Sequence, residues 1–209
     1  MDLKGILGRR PRIIGALLVA ATGAGMAAPA AHAGLLAGPA SCASSATSQA
    51  FSQWGDSNDY ELAPGGNFAS ANSGWTLTGG AKIVTTQVPF DIGGAKTVGA
   101  LYMPPGSTAQ SPTMCVNPAD PTYRFLGYST GGSNGLSSQA IYTEVLGLRL
   151  ALALNSTRLQ SSWGPAPAET TGAAPGSLLS LGAATMSLRF QSSGYSIISD
   201  VYVDPRMHG

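Results

Sequence analysis

Short segments in which apolar and polar side chains alternate follow one another from Phe51 onward, separated by Gly, Pro, Asn, Asp and Ser. The clearest segment spans 148–155, and one of its faces carries Leu148, Leu150, Leu152 and Leu154. A period of two predicts a strand with one buried face, although Leu and Ala favour helices. The preceding segment, 140–146, is rich in β-formers and predicts another strand, with Gly147 as a turn or a bulge between the two.

The same pattern predicts a hairpin near the end of the chain. Residues 185–191 alternate strictly between polar and apolar, and 195–203 follow after a Ser-Ser-Gly turn. This hairpin is expected to close the domain. The inward face of its second strand is expected to consist of Ile197, Ser199, Val201 and Val203.

The remaining segments complete an all-β pattern. Further strands are expected at 59–63, 75–78, 82–86, 97–103 and 122–128. The Pro- and Gly-rich stretch 161–177 is expected to be a surface loop. No segment has a helical period, and we find no internal repeat. Short strands in this number predict an antiparallel β-sandwich, for which a jelly roll is the most economical topology.

Residues 1–33 differ from the rest and indicate where the protein works. Four basic residues precede an uncharged run, 13–31, and the segment ends in Ala31-His32-Ala33. This order predicts a cleaved secretory signal peptide and a secreted, extracellular protein. The strongly apolar part, 13–21, is shorter than the roughly 20 residues of a spanning helix, which leaves an uncleaved anchor as the alternative. Arg9-Arg10 leaves the general secretory and twin-arginine routes open.

The expected domain organisation follows from these patterns. After the signal peptide, 34–58 should form an extended N-terminal arm, 59–205 the sandwich and 206–209 a C-terminal tail. No run after the signal peptide is long and apolar enough to predict a membrane span.

Charge is scarce and argues against one class of partner. Charged residues make up 10% of the chain, against a typical quarter. Beyond the basic start of the signal peptide, seven Lys and Arg remain, and they are scattered. Because neutralising phosphates needs clustered Lys and Arg, we expect no nucleic-acid partner.

The two cysteines, Cys42 and Cys115, both lie beyond the signal peptide. In an exported chain such a pair predicts one disulfide, with two free buried thiols as the alternative. A bridge across a loop of about 70 residues contributes on the order of 4 kcal/mol in the chain-entropy model. It would tie the N-terminal arm to the middle of the domain.

Three motifs carry a resemblance to a known family. They are Asn67-Phe68, Gly74-Trp75-Thr76-Leu77 and the closing stretch 195–205, which contains Asp200. Together they resemble the two ends of the carbohydrate-binding-module jelly roll, also called galactose-binding-domain-like. The chain departs from that pattern because no acid follows Phe68 and because Asp200 is the only acid of the usual pair.

The resemblance implies a secreted, non-catalytic module that binds a glycan or a cell-envelope polysaccharide. The alternative from a different class is a cell-surface structural or protein-interaction domain without glycan binding. The resemblance also implies a structural Ca²⁺ held by Asp200 and Asn67, since calcium takes carboxylate and amide oxygens. In the competing interpretation, Asp200 pairs with an Arg or with backbone at a sheet edge and no metal binds.

Sugar recognition would use aromatic rings as platforms and polar groups that hold hydroxyls. The candidate ligand-binding residues are Tyr128, Tyr142, Arg124, Glu144 and Trp163. The period of two places Tyr142 with Glu144 on one face, and Tyr128 with Arg124 on another. A solvated β face has the same composition, and the Trp side chains, Trp75 above all, are also candidates for the core.

Catalysis is not expected. Beyond the signal peptide the one histidine is His208, in the terminal tail, so an ordered catalytic base or a zinc site is not predicted. Glu144, Asp91 and Asp120 are acids that no motif links. A hydrolase that uses scattered carboxylates is therefore the third hypothesis.

Overall fold

A computed structural model describes residues 45–116, 122–130, 135–143, 149–172 and 184–204, all within one compact unit that spans Gly34–Gly209. These residues form fourteen strands and one 3-10 turn, Ser52–Trp54, with no α-helix among them. The strands are β1 (Thr47–Ser48), β2 (Tyr60–Leu62), β3 (Thr76–Thr78), β4 (Lys82–Gln87), β5 (Thr97–Met103), β6 (Thr108–Gln110), β7 (Met114–Val116), β8 (Thr122–Ser129), β9 (Gly135–Thr143), β10 (Arg149–Arg158), β11 (Gly164–Pro165), β12 (Glu169–Thr170), β13 (Ala184–Ser192) and β14 (Ser196–Val203).

The strands form two antiparallel sheets. Sheet A has the order β1-β2-β14-β5-β4, with β8 along the other side of β14 and the short β11 and β12 on β8. Sheet B has the order β10-β9-β13-β6-β3, with β7 also paired to β13. The prediction of an all-β antiparallel sandwich of jelly-roll type is confirmed. Within the described ranges, no helix has the length and apolarity needed to cross a bilayer.

The main core lies between the two sheets. Sheet A contributes Leu101, Met103 and Phe125, and sheet B contributes Leu188 and Phe190, all fully buried. Trp75 packs in the same core, stacks on Phe190 with ring centroids 5.9 Å apart, and donates its indole N–H to the Pro64 carbonyl at 3.0 Å. Buried apolar area of this kind supplies most of the stabilisation of the sandwich.

A second apolar cluster covers the opposite face of sheet A, and we call it the outer cluster. It is built on side chains that point away from the main core, and three separate chain segments cover them. Its members are Ala50, Phe51, Trp54, Tyr60, Val88, Phe90, Ile92, Val98, Leu126, Tyr128, Trp163, Ile197 and Tyr202. The outer face of sheet A is therefore largely covered.

The N-terminal arm contributes to this cover. Phe51 has 0% of its surface exposed and meets the rings of Tyr60 and Tyr202 edge-on, at centroid distances of 5.0 and 5.8 Å. β1 also pairs with β2. Apolar packing of Phe51 therefore holds this part of the arm, which was expected at 34–58, against sheet A.

The longer strands match the sequence pattern, and β5 agrees with its prediction residue by residue. The stretch predicted as a surface loop contains β11 and β12, which pair with β8.

The expectation that Leu154 is buried is wrong, because its side chain is 70% exposed. The pairing of β10 with β9 shifts register between Leu152 and Asn155, and this shift breaks the alternation of faces.

A second register shift corrects the prediction for β14. Its pairing with β8 shifts between Ser199 and Tyr202, which inserts an extra residue into β14. As a result Ile198 and Val201 face the main core, and Ile197 faces the outer cluster instead of the inside.

The cysteine prediction is not tested by the described residues. Cys115 lies on β7 and is not a free thiol. Cys42 lies outside the described residues, so the pairing of the two cysteines stays a prediction.

Candidate functional site

An opening in sheet A forms where β14 changes partners. Ser196–Ile198 pair with β5, whereas Tyr202 and Val203 pair with β2, so neither strand covers 199–201 on that side. Backbone of the loop after β2 fills part of the gap. Ala63 N–H donates to the Val201 carbonyl at 2.9 Å, and Val201 N–H donates to the Gly66 carbonyl at 3.1 Å.

Two glycines allow this close backbone approach. A Cβ at Gly66 would lie 2.6 Å from the Val201 carbonyl oxygen, and a Cβ at Gly99 would overlap the Phe68 carbonyl. Both positions therefore need a residue without a side chain. A cavity of about 290 Å³ lies between the loop, β5 and β14, and we call it the acidic cavity.

Asp200 is the extra residue of β14, and it carries three unusual features. Its φ of 53° lies in the left-handed region, which non-glycine residues seldom adopt. Its side chain lines the acidic cavity with only 6% of the residue exposed, and its Oδ2 has no hydrogen-bond partner among the described residues. Burial, followed by the neighbouring Asp91 carboxylate, raises the pKa of Asp200 to about 8. Strained backbone and a perturbed carboxyl in one cavity are typical of functional sites.

Other polar groups converge on the same cavity. Asn67, Asp91, Thr97 and Tyr202 line it together with Asp200. Burial and the nearby carboxylates raise the pKa of the Tyr202 hydroxyl, so this hydroxyl keeps its proton and can donate a hydrogen bond. Asp91 sits in a tight turn in which its Oδ2 accepts the Ala95 N–H at 3.1 Å.

The two residues predicted to hold calcium, Asn67 and Asp200, line this same cavity. Calcium takes six to eight oxygen ligands. Two carboxylates and one amide supply only part of that shell, and the Asn67 Oδ1 already accepts the Ala69 N–H at 3.3 Å. No group of three or more His, Cys, Asp or Glu fit for a metal occurs within the described ranges. These side chains alone do not complete a calcium site, so calcium binding stays a prediction.

A second cavity lies on the other flank of the outer cluster, with a volume of about 250 Å³. We call it the arginine cavity because Arg124 and Arg158 both line it, beside Gln160. Arg124 is firmly held. Its Nη1 lies 2.6 Å from the Asp56 Oδ2, its Nε donates to the Ala166 carbonyl at 2.8 Å, and its guanidinium lies 5.0 Å from the centre of the Phe51 ring.

The aromatic candidates Tyr128 and Trp163 do not form an open platform. They share the outer cluster, where their rings meet edge-on at 5.7 Å. Trp163 is 8% exposed and donates its indole N–H to the Phe90 carbonyl at 3.0 Å. Arg124 and Tyr128 point to the same side of β8 as predicted from the period of two, but the outer cluster covers much of that side.

Tyr142 is removed from the candidate ligand site. It belongs to the main core with 1% of its surface exposed, and its hydroxyl donates to the Thr171 carbonyl at 3.4 Å. The expectation that its ring lies on a ligand-facing surface is therefore wrong, because the side of β9 that carries it faces sheet A. Glu144 lies outside the described residues.

Sequence reasoning missed the partners that complete both cavities. Asp91 was noted only as an acid that no motif linked to other residues, and Tyr202 was treated as part of a closing strand. Arg158 was not singled out. Asp200, the charged residue within β14, is the local signal that could have identified the bulge.

No protein-family model matches the chain, and no curated protein matches it in sequence. Several solved structures are similar to it. The CBM22-1 xylan-binding domain from Paenibacillus barcinonensis Xyn10C is 12% identical with a TM-score of 0.46, covering 73% of this chain and 97% of that one. TmCBM61 in complex with β-1,4-galactotriose is 13% identical with a TM-score of 0.34, covering 66% and 90%.

The arabinose-bound MgGH51 α-L-arabinofuranosidase is 16% identical with a TM-score of 0.45, covering 73% of this chain and 27% of that one. Carbohydrate-binding modules are thus among the solved structures to which the chain is similar. At these identities and TM-scores, the residues of this chain itself must carry any functional conclusion.

Proposed function

We propose that the protein is a secreted, non-catalytic module that binds a neutral sugar of a glycan or cell-envelope polysaccharide in the acidic cavity. The observation that carries the proposal is the buried Asp200 carboxyl, which lines a cavity beside the Asp91 side chain and whose Oδ2 receives no hydrogen bond from an N–H or hydroxyl group of the described residues. An unsatisfied buried polar atom costs about 1–3 kcal/mol, which a ligand hydroxyl would recover by donating a hydrogen bond.

The other lining groups suit the same kind of ligand. Sugars present many hydroxyl donors on a ring whose C–H face is apolar. Asp91 and Asn67 offer further oxygen acceptors, and Thr97 and Tyr202 carry hydroxyls that both donate and accept. A cavity of 290 Å³ lies at the small end of ligand sites, which favours one sugar unit over a long stretch of chain.

Binding is favoured over hydrolysis because the two acids adjoin one another. Glycoside hydrolysis places its two carboxyl groups at least about 5 Å apart, on either side of the scissile bond. Here the Asp91 carboxylate is close enough to help raise the pKa of Asp200. Two adjoining acids in one wall can hold neighbouring hydroxyls of one sugar.

The test uses the full chain and an array of neutral oligosaccharides, followed by titration calorimetry with the best ligand. Asp91→Asn should weaken binding about tenfold or more, since it removes a charged acceptor, and Asp200→Asn should weaken it because an amide replaces the protonated carboxyl that lines the cavity at neutral pH. Asp59→Asn makes the same chemical change at an exposed position outside the cavity and should leave affinity unchanged. Equal affinity in all three variants would contradict the proposal, and a blank array would favour the protein-interaction alternative.

Calcium is the second candidate occupant, and the adjoining carboxylates favour it. Thermal melts with added CaCl₂ or with a chelator distinguish a calcium site from a direct sugar site. A rise in the melting temperature with calcium that is lost in Asp200→Asn would identify a metal site. A melting temperature that neither CaCl₂ nor the chelator changes, together with glycan binding in the presence of chelator, would identify a direct sugar site.

A further inference from the structure

We propose that the arginine cavity is a second glycan site that binds the anionic group of an acidic sugar, such as the carboxylate of a uronic acid or a sulfate ester. Arg124 and Arg158 line one cavity in a chain in which Lys and Arg number only 11 of 209 residues. No acid lines this cavity within the described ranges. Asp56 pairs with Arg124 from outside the set of lining residues, so the surplus of positive charge at this cavity is that of Arg158.

Arg158 supplies the unpaired charge. It is the last residue of β10, its side chain is exposed, and it forms no ion pair among the described residues. A guanidinium presents several N–H donors in one plane, so it can hold a carboxylate or sulfate through two parallel hydrogen bonds.

Arg124 supplies a preorganised donor on the same cavity. The Asp56 carboxylate, the Ala166 carbonyl and the Phe51 ring hold its side chain, which is only 15% exposed. Among the described residues, the hydrogen bonds of this guanidinium use Nη1 and Nε and none uses the Nη2 donors. A fixed guanidinium loses little conformational entropy when a ligand binds.

The rest of the cavity wall suits the body of a sugar. Leu159, Pro165 and Pro167 provide apolar surface, and Gln160 provides both a donor and an acceptor. An apolar wall beside two cations distinguishes an anionic saccharide from a free inorganic anion, which would gain nothing from the prolines.

This inference extends the glycan-binding proposal to a second class of sugar without depending on the acidic cavity. The two cavities share no lining residue. Failure of one site can therefore be told from failure of the other.

The test measures binding of the full chain to oligosaccharides of galacturonate, of glucuronate and of sulfated galactose, each beside an uncharged counterpart such as the methyl ester of the uronate. We expect the acidic forms to bind and the uncharged forms to bind at least about tenfold more weakly. Arg158→Gln should weaken acidic-sugar binding by a similar factor, and Arg158→Lys should retain part of it because the charge remains. Arg189→Gln, an exposed arginine on sheet B, is the matched control and should change nothing.

Added NaCl should weaken acidic-sugar binding, since salt screens exposed charges. No binding of any acidic oligosaccharide would overturn the inference, as would equal loss in Arg158→Gln and Arg189→Gln. Loss of neutral-sugar binding in Asp200→Asn with acidic-sugar binding retained would place the two ligands at separate sites. Inorganic sulfate that competes fully at equal concentration would show an adventitious anion site only, and would also overturn the inference.

Discussion

The outer faces of the two sheets differ although both alternate in sequence. Sheet A carries apolar and aromatic side chains outward, and other parts of the chain cover them. Sheet B carries polar side chains outward, such as Thr78, Gln110, Arg189 and Gln191. Thr78 and Thr108 share a side-chain hydrogen bond at 2.6 Å, and Gln110 donates one to Ser187 at 3.1 Å, so some of these polar side chains are paired within sheet B.

The difference shows that strand periodicity and surface exposure are separate properties. A period of two predicts that a strand has one apolar face and one polar face, but it does not predict what covers either face. On sheet A the cover comes from three segments that are distant in sequence, and they contribute Phe51 with Trp54, Phe90, and Trp163. Both cavities lie at the borders of that cover, because incomplete cover over a sheet leaves concave space.

Phe51 connects the two borders. Its ring touches Tyr202, which lines the acidic cavity, and Arg124, which lines the arginine cavity. Arg124 and Tyr202 are themselves cross-strand partners on β8 and β14. The outer cluster therefore both stabilises the fold and supports the two proposed sites.

The largest expected effect is the loss of stability when the Phe51 ring, which contacts residues of both cavities, is removed. Phe51→Ala should lower the free energy of unfolding by about 3–5 kcal/mol, since it removes a fully buried ring and leaves a cavity. It should also weaken binding at both cavities. Chemical denaturation of the variant and wild type measures the loss.

Gln191→Ala on the exposed face of sheet B serves as the control, with an expected change within about 0.5 kcal/mol. If Phe51→Ala costs no more than this control, the outer cluster is not a second core, and the comparison between the two faces fails.

The next effect concerns Asp200 and pH. The folded protein holds a proton on Asp200 up to about pH 8, whereas the unfolded chain releases it near the ordinary value of 3.8. This group's contribution to stability is therefore fully present below that ordinary value and is lost as pH rises through about 8. Asp200→Asn removes this pH dependence and should be more stable than wild type at the upper end of the window.

Melting temperatures of wild type and Asp200→Asn, measured from the ordinary pKa of Asp to above pH 8, test whether the stability of wild type falls as pH rises. A gain in stability combined with a loss of sugar binding would mark Asp200 as a residue kept for function at a cost to the fold. A wild-type stability that rises with pH across the same range, with no difference from the variant, would contradict the proposed state of this carboxyl.

Much of the fold was predictable because the longer strands bury one face. β13 shows this most clearly, since apolar and polar residues alternate strictly over 185–191. Strands of two or three residues, such as β6, β7, β11 and β12, are too short for a period to be read. The bulge in β14 and the register shift in β10 were also missed, because an extra residue reverses the faces that follow it.

The sites were less predictable, for a different reason. Asn67 and Asp200 were named together from the resemblance, and they do line one cavity. Asp91 and Arg158 reach their cavities only through tertiary packing of distant segments, which alternation does not encode. Tyr142 satisfied the pattern of a ligand-facing aromatic, yet it lies in the main core, since a period of two cannot tell the inner face from the outer one.

The smallest expected effect tests the ion pair that joins the arm to sheet A. Asp56 accepts hydrogen bonds from the Arg124 guanidinium at 2.6 Å and from the Tyr60 hydroxyl at 2.7 Å. Burial raises the pKa of Asp56, but the hydrogen bonds from Tyr60, Asn58 and Arg124 outweigh it, so the net pKa is lowered from 3.8. Asp56→Asn should therefore lower the free energy of unfolding by about 1–2 kcal/mol at neutral pH. The difference between wild type and variant should vanish as pH falls through the lowered pKa of Asp56, because the wild-type carboxylate then loses its charge as well. Denaturation midpoints at neutral and strongly acidic pH measure this, with the exposed Asp59→Asn as control. A difference that persists in strong acid would show that the pair does not join the arm to the sheet through its charge.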